Sequence, residues 1–138
     1  MQYIKAFIGG FVATLVFHQG VYALFYAAGK VPAPPFNMTA TDPLGIPSVI
    51  SLAFWGGIWG MGIWWIIRNS RGFPHLIQAA LFGALGPSAV AMLIVFPMKD
   101  LPVDAQTWVG ALILNAAWGI GLALFMKLFH KSRQHGSF

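Results

Sequence analysis

The sequence predicts an all-α fold, an integral membrane four-helix bundle that forms one transmembrane domain over residues 1–138. Four apolar runs predict it, because each is long enough to cross the roughly 30 Å hydrocarbon core of a bilayer as a helix. The scarcity of charge predicts it as well, since only 8% of the residues are charged, whereas a soluble domain has about 25%. The loops between the runs are short, so no extramembrane domain is expected.

Composition also restricts the partners and the chemistry. The formal net charge is +5, but the basic residues lie at the ends of apolar runs, where anionic lipid headgroups account for them. We therefore expect the lipid bilayer as a partner and no nucleic acid. The chain has no cysteine, which excludes disulfides, thiolate metal sites and cysteine nucleophiles.

The first predicted span covers residues 3–29. It is longer than the apolar core of a signal peptide and carries His18 and Gln19 at its middle, so we interpret it as a retained helix. Small or hydrogen-bonding side chains recur at four-residue spacing and so share one helix face, namely Ala6, Gly10, Thr14, His18, Tyr22 and Tyr26. That face is expected to point into the bundle, because lipid offers no partner to an imidazole or a hydroxyl.

The longest loop runs from Lys30 to Pro47 and contains five prolines. Proline removes backbone donors, so no regular helix is expected there. Phe36 and Met38 favour a loop that lies over the end of the bundle, and a plain surface loop is the alternative.

The second predicted span covers residues 47–67 and contains the run FWGGIWGMGIWW. Gly56 and Gly60 stand in GxxxG spacing, which permits close backbone approach to another helix. Trp55 and Trp59 lie deeper than the tryptophans at the end of the run, and their indole N–H groups need a partner.

The third and fourth predicted spans cover residues 75–96 and 106–129. Pro87 lies at the centre of the third span and is expected to kink it, because proline removes one intrahelical hydrogen bond. Asn115 lies at the centre of a four-spaced small-residue stripe in the fourth span and is expected to face protein. Over all four spans, the predicted helix-packing residues are Gly10, Gly56, Gly60, Gly83 and Gly119.

The flanking charges predict the orientation. Six cations lie on one side, namely Lys5, Arg68, Arg71, Lys127, Lys131 and Arg133, and the other two loops hold Lys30 and Lys99 together with all three aspartates. This bias places both termini in the cytoplasm. Tryptophans and cations at that level are predicted to anchor the bundle in the headgroup region, and these anchors are Trp64, Trp65, Arg68, Arg71, Lys131 and Arg133.

A weak internal repeat is visible in the two halves of the chain. WGMG at 59–62 recurs as WGIG at 118–121, and Ile4, Ala6 and Gly10 correspond to Ile77, Ala79 and Gly83. A duplicated helical hairpin would explain both matches, as in transporters built from parallel repeats. Chance matching within an apolar sequence is the alternative.

Several polar residues fall near the middle of the spans and define a candidate midplane polar site, consisting of Thr14, His18, Gln19, Ser88 and Asn115. Intramembrane polar groups suggest a pathway for a small solute, an ion or a proton. Hydrogen bonding between helices is the alternative, at about 0.6 kcal/mol per contact. No Asp, Glu, Lys or Arg lies near the middle of a span, so an ion-coupled carrier would depend on His18 alone.

Catalysis and cofactor binding are not predicted. A serine nucleophile at Ser48, Ser51 or Ser88 would have His18 at best as a base and no buried carboxylate. A haem group would need histidine ligands, and His18 is the one histidine of the chain that lies near the middle of a span. A metal held by His75, His130 and His135 at the cytoplasmic edge is a minor alternative. We therefore expect no enzyme activity, no cofactor and no metal site.

Three motifs carry a resemblance to a known family. The chain is similar to small four-helix inner-membrane proteins of proteobacteria in SLAFWGGIWG at 51–60, FHQG at 17–20 and NAAWGIG at 115–121. The resemblance implies a multi-pass protein of the bacterial inner membrane and no assigned activity. Length and helix count also resemble fluoride channels and small multidrug exporters, but the polar track of the first and the buried glutamate of the second are missing.

Two functional hypotheses follow from the sequence. The first is a non-catalytic packing or accessory subunit that forms a homo-oligomer or docks on other membrane subunits, because the spans carry small-residue stripes and no buried charge. The second is a small channel or transporter with a midplane site around His18 and Asn115. A cofactor-binding or lipid-binding protein is a third, weaker hypothesis.

Overall fold

Four long helices make up the protein, as predicted. The computed structural model describes residues 1–42 and 44–136, with side chains described as far as Phe129. The helices are α1 (Gln2–Ala27), α2 (Ser48–Ile67), α3 (Gly72–Met98) and α4 (Ala105–Gly136). All four are long and apolar enough to span a membrane, which confirms the all-α four-helix fold and a multi-pass membrane protein.

The packing order around the bundle is α2, α1, α4, α3. Helix α1 packs along both α2 and α4, helix α3 packs along α4, and α2 and α3 make few contacts with each other. The chain therefore consists of two helical hairpins, α1–α2 and α3–α4, joined mainly where α1 meets α4.

The first hairpin is held by direct backbone contact at glycines. A Cβ added to Gly60 would lie 2.6 Å from the carbonyl oxygen of Ala6, and one added to Gly10 would collide with the carbonyl of Gly56. In a bilayer, helices associate by this kind of close van der Waals packing, since lipid removes most of the hydrophobic driving force between them.

The second hairpin is held in the same way. A Cβ added to Gly119 would collide with the carbonyl of Ala79, and one added to Gly83 would lie 3.0 Å from the carbonyl oxygen of Asn115. All five glycines predicted to pack helices therefore lie at backbone contacts between paired helices.

The two hairpins use corresponding positions in the same register. Each contact residue of α1 has its counterpart 73 positions later in α3, and each contact residue of α2 has its counterpart 59 positions later in α4. The corresponding pairs are Ala6 with Ala79, Gly10 with Gly83, Gly56 with Asn115, and Gly60 with Gly119. Backbone contacts at corresponding positions support a duplicated hairpin more strongly than the short sequence matches between the two halves do.

Two helices contain a wider π-helical turn. In α1 it covers Thr14–His18, and in α3 it covers Ala91–Val95, one turn after Pro87. The proline lies inside regular α-helix, and the kink that the sequence predicts at Pro87 stays a prediction. Such turns bend helices and are frequent at functional sites.

The long loop folds back on the bundle and contains a small β-hairpin that the sequence does not predict. Strand β1 (Ala40–Thr41) pairs antiparallel with β2 (Ile46–Pro47). The carbonyls of Asn37 and Thr39 accept hydrogen bonds from the first two backbone N–H groups of α2, each at 2.8 Å. The loop thus satisfies donors that a helix leaves open at its N-terminus.

Helix α2 is shorter than its neighbours. It has 20 residues, whereas the spanning segments of α1, α3 and α4 have 26, 27 and 25. At about 1.5 Å per residue, α2 matches the hydrocarbon thickness, and α1 is longer by about 9 Å. The folded loop occupies the space beyond the start of α2, beside the longer α1.

Four of the six predicted interface anchors, Trp64, Trp65, Arg68 and Arg71, lie at or just before the turn between α2 and α3. The guanidinium of Arg68 lies 5.2 Å from the ring centre of Trp65 and donates to the Trp65 carbonyl. His75 donates from Nδ1 to the carbonyl of Ile67 at 3.1 Å and packs edge-on against Trp64. Arg71 directly precedes α3. The other two predicted anchors, Lys131 and Arg133, lie outside the residues with described side chains. The same is true of His130 and His135, two of the three histidines of the alternative metal site.

Asp104 begins α4 as its N-cap. Its Oδ1 atom accepts hydrogen bonds from the backbone N–H of Thr107 at 2.8 Å and from the Thr107 hydroxyl at 2.7 Å. These bonds, the backbone one first, hold the pKa of the Asp104 carboxyl below its usual value. A charged carboxylate there also interacts favourably with the positive end of the helix dipole.

Candidate functional site

The five residues of the predicted midplane polar site lie in three separate contacts. Thr14, Gln19 and Ser88 are buried, and His18 and Asn115 are half-buried. Thr14 bonds within α1, Gln19 bonds to the loop and to His18, and Ser88 and Asn115 join α3 to α4.

The first contact centres on the carbonyl of Gly10. This oxygen accepts the backbone N–H of Thr14, the Thr14 hydroxyl at 2.9 Å and the indole N–H of Trp118 at 3.0 Å. Trp118 is 3% exposed, so the bond between α4 and α1 is made deep in the bundle. The sequence alone predicts no role for Trp118, although its indole N–H needs a partner as much as those of Trp55 and Trp59 do.

The second contact links the two helices of the second hairpin. Nδ2 of Asn115 donates to the hydroxyl oxygen of Ser88 at 2.9 Å, and Ser88 is fully buried. The prediction that Asn115 faces protein is therefore matched by its geometry. An amide on a serine hydroxyl is a structural hydrogen bond, and it does not activate the serine as a base would.

Removing both partners of this contact should reveal a small coupling. We expect the cycle of Asn115→Ala, Ser88→Ala and the double variant to give a coupling free energy of about 0.6 kcal/mol, the average for such bonds between membrane helices. Unfolding in mixed micelles by a denaturing detergent measures it. A control cycle of Asn115→Ala with Thr14→Ala should give none, because the two side chains share no hydrogen bond.

The third contact ties the long loop to α1. Oε1 of Gln19 accepts the backbone N–H of Phe36 at 2.7 Å, and Nε2 of the same amide lies 3.2 Å from Nδ1 of His18. The Phe36 bond fixes which end of the amide faces the histidine, so Nδ1 of His18 accepts and its ring proton sits on Nε2. Tyr22 adds a second tie, donating to the carbonyl of Ala33 at 3.0 Å.

Phe36 adopts a backbone conformation that is uncommon for a bulky residue. Its φ is +56°, in the left-handed region that favours glycine. Gln19 therefore holds a strained point of the loop against α1. The loop is hydrogen-bonded to α1, but Phe36 and Met38, on which the expectation of a loop over the bundle end rested, are 47% and 65% exposed.

Replacing Gln19 should release the loop and leave the helices in place. In Gln19→Ala the N–H of Phe36 loses its acceptor, which lowers the cost of local opening by about 1–3 kcal/mol. Hydrogen exchange over residues 31–47 should then quicken roughly 5- to 150-fold. Gln106→Ala, which removes an exposed amide, should leave the exchange of the loop unchanged, and equal effects of the two variants would contradict this role of Gln19.

An apolar groove of the bundle lies away from these polar groups. It has a volume of about 250 Å³ and lies between α1 and α4. Its lining is apolar and consists of Val12, Ala13, Val16, Phe17, Gly121, Leu124, Phe125 and Leu128. The groove is suited to an acyl chain and offers a polar solute no hydrogen bond.

No protein-family model, curated protein or solved structure matches the chain. The resemblance to proteobacterial inner-membrane proteins therefore stays a prediction. Among the described residues, no three His, Asp or Glu side chains lie close enough together to hold a metal ion, and no buried side-chain nitrogen or oxygen lacks a hydrogen bond. What the arrangement can do chemically is hold helices and loop together.

Proposed function

We propose that the protein is a non-catalytic four-span packing or accessory subunit of the bacterial inner membrane, with both termini in the cytoplasm. This proposal rests on the hydrogen bonds made by the five polar residues near the middle of the spans. Each of the five makes a hydrogen bond within the protein, to a helix partner, to the loop or to its neighbour. A solute pathway would instead leave donors and acceptors open along a cavity.

The shape of the bundle supports docking or self-association. In an apolar 18-residue stretch of each span, between 28% and 33% of the residues are buried inside the protein, so about two thirds of them stay at least partly open to lipid or a partner. Large apolar side chains are exposed on every helix, including Val16, Trp55, Leu81 and Val109. A thin bundle with so much free helix surface is suited to packing against other membrane proteins.

Crosslinking in native membranes and native mass spectrometry in mild detergent test the proposal. We expect the chain to appear in species heavier than its monomer, with itself or with other membrane proteins. A lone monomer in both experiments would contradict the proposal.

Transport is the second candidate, and the π-helical turn that ends at His18 favours it. In this alternative His18 and Asn115 line a pathway that opens in another conformation. Solute flux into liposomes containing the protein should then fall in His18→Ala and Asn115→Ala. Flux that both substitutions leave unchanged would remove transport through this site.

A further inference from the structure

Lys5 lies at an end of the bundle that has no side-chain carboxylate. All three acidic residues of the chain are aspartates, and they lie in the loop between α1 and α2 and in the loop between α3 and α4, at the opposite end. Lys5 is nevertheless half-buried. A half-buried lysine packs its stem on protein and keeps its ammonium group at the polar surface, so the counter-charge for Lys5 comes from outside the chain.

Lys5 also lies on the face of α1 that lines the apolar groove between α1 and α4. It comes four residues before Gly9, which is in contact with Phe125 of α4, and seven residues before Val12, which lines the groove. Residues at these spacings share one helix face. The cation therefore lies at the end of the groove that is nearer to the membrane surface.

The groove has the depth of one membrane leaflet. On α4 it runs from Gly121 to Leu128, which is about 10 Å of helix, and Leu128 is next to a second cation, Lys127. On α1 it reaches Phe17, about 18 Å beyond Lys5. One leaflet contributes about half of the 30 Å hydrocarbon core. An acyl chain whose headgroup lies beside Lys5 would thus end near the inner end of the groove.

The π-helical turn of α1 forms the inner end of the groove. The turn covers Thr14–His18, and it contributes Val16 and Phe17 to the lining. Phe17 turns its ring onto Gly121 of α4, whereas Val16 is 58% exposed. Turns of this kind are rare and frequently lie at functional sites. The groove is therefore more than the gap that two regular helices leave between their side chains.

We infer that the α1–α4 groove binds one anionic phospholipid, with an acyl chain along Val12, Val16 and Leu128 and the phosphate beside Lys5. The lining is apolar throughout, which suits an acyl chain, and the phosphate supplies the missing counter-charge. A second copy of the chain in the same membrane orientation would bring none of its aspartates to this end. The lipid satisfies both the groove and the lysine, and a second copy does not satisfy the lysine.

Lipid retention tests the role of the charge. The purified protein is mixed in mild detergent with equal amounts of phosphatidylglycerol and phosphatidylcholine that have the same acyl chains, and native mass spectrometry counts the bound lipids. We expect preferential retention of one phosphatidylglycerol per chain. Lys5→Gln should lower this preference about fivefold, the contribution of one lysine beside an anionic lipid surface, and Lys5→Arg should keep it.

The matched control is Arg71→Gln, which removes a cation at the same end of the bundle from the turn between α2 and α3. It should leave the preference for phosphatidylglycerol unchanged. Equal retention of both lipids by the wild-type protein would overturn the inference. So would equal losses in Lys5→Gln and Arg71→Gln, because the lipid would then respond to the overall charge of this end and not to the groove.

Filling the groove tests the position of the acyl chain. Val16 lines the groove and is 58% exposed, so Val16→Trp should occupy the groove without disturbing the core and abolish the preference. Val109 of α4 is 55% exposed and lies outside the lining, so Val109→Trp should leave the preference as it is. A preference that survives Val16→Trp contradicts the inference.

Photolabelling in bilayers distinguishes a bound lipid from a protein occupant. Phosphatidylglycerol with a diazirine at the end of one acyl chain is added to membranes that contain the wild-type protein, and the labelled peptides are identified by mass spectrometry. We expect the label to concentrate on residues 12–17 and 121–128. Even labelling of all four spans would indicate ordinary solvation by lipid, and an unlabelled groove would indicate that protein covers it. Either result overturns the inference.

The lipid site goes beyond the proposed accessory role and is tested separately from it. Loss of the lipid preference with the chain still in larger assemblies overturns the site and leaves the accessory role standing. A lone monomer that retains phosphatidylglycerol through Lys5 overturns the accessory role and leaves the site.

Discussion

Trp118→Ala is expected to destabilise the protein by about 3 kcal/mol, which is at the low end for deletion of a buried tryptophan because lipid, and not water, surrounds the unfolded helices. The substitution opens a cavity in the core and removes the donor that joins α4 to the carbonyl of Gly10. Trp118→Phe keeps most of the ring volume, so it isolates the hydrogen bond, and we expect it to cost about 1 kcal/mol. Detergent-induced unfolding followed by helical circular dichroism measures both.

The internal repeat provides the control for this prediction. Trp59 occupies the corresponding position in α2, is only half-buried and makes no hydrogen bond in the described structure. Trp59→Phe in the monomer should therefore change the free energy of unfolding by less than about 0.5 kcal/mol. If Trp59→Phe and Trp118→Phe cost the same, the bond to Gly10 contributes no stability.

Gly119→Ala is expected to destabilise the protein by about 1–3 kcal/mol. Its new Cβ would collide with the carbonyl of Ala79, and two helix backbones cannot both keep their positions around it. The substitution Gly60→Ala, which meets the carbonyl of Ala6 in the other hairpin, should have an effect of similar size. Unfolding in mixed micelles measures the change in the free energy of unfolding. At the upper end of this range, we expect α3 and α4 to separate from each other in Gly119→Ala.

Gly110→Ala should have the opposite sign. No atom of another helix lies within 4 Å of Gly110, so alanine adds no clash, and the higher helix propensity of alanine stabilises by up to about 1 kcal/mol. Both substitutions add one methyl group to the same helix, and only their surroundings differ. Destabilisation by Gly110→Ala equal to that of Gly119→Ala would show that glycine contacts do not hold the hairpin.

The helices and their packing glycines were predictable because each depends on local sequence. A span is a matter of apolar length, and Gly56 with Gly60 reveals a close approach by spacing alone. The bounds differ from the predicted spans by a few residues, since α3 and α4 continue past their apolar runs, whereas α1 ends two residues earlier and α2 begins one residue later than predicted.

The site was predicted less well, because depth fixes only one coordinate of a residue in a membrane. The sequence predicts a similar depth for Thr14, Gln19 and Asn115. They contact different neighbours, however, because α1 lies between α2 and α4. The bond from Phe36 to Gln19 joins a loop backbone to a helix 17 positions away, and no periodicity signals it. The two-residue strands are too short for a pattern of alternation.

Trp59 and Trp118 illustrate the same limit within one chain. Both stand in a WGxG sequence, and the two hairpins pack in the same register. One indole is buried and donates to the carbonyl of Gly10, and the other packs on Gly86 and makes no hydrogen bond in the described structure. The distinction depends on a residue of another helix, which the motif itself does not contain.

The hydrogen bond from Trp118 to Gly10 forms later during synthesis than the contacts within the first hairpin. It joins residues 108 positions apart, whereas each glycine contact within a hairpin joins helices that are consecutive in the chain. Contacts that are close in sequence form at lower entropic cost, so the first hairpin can close as soon as α2 leaves the translocon. A nascent chain halted before α4 would thus hold a paired α1 and α2, in which Thr14, among the described residues, supplies the side-chain donor to the Gly10 carbonyl.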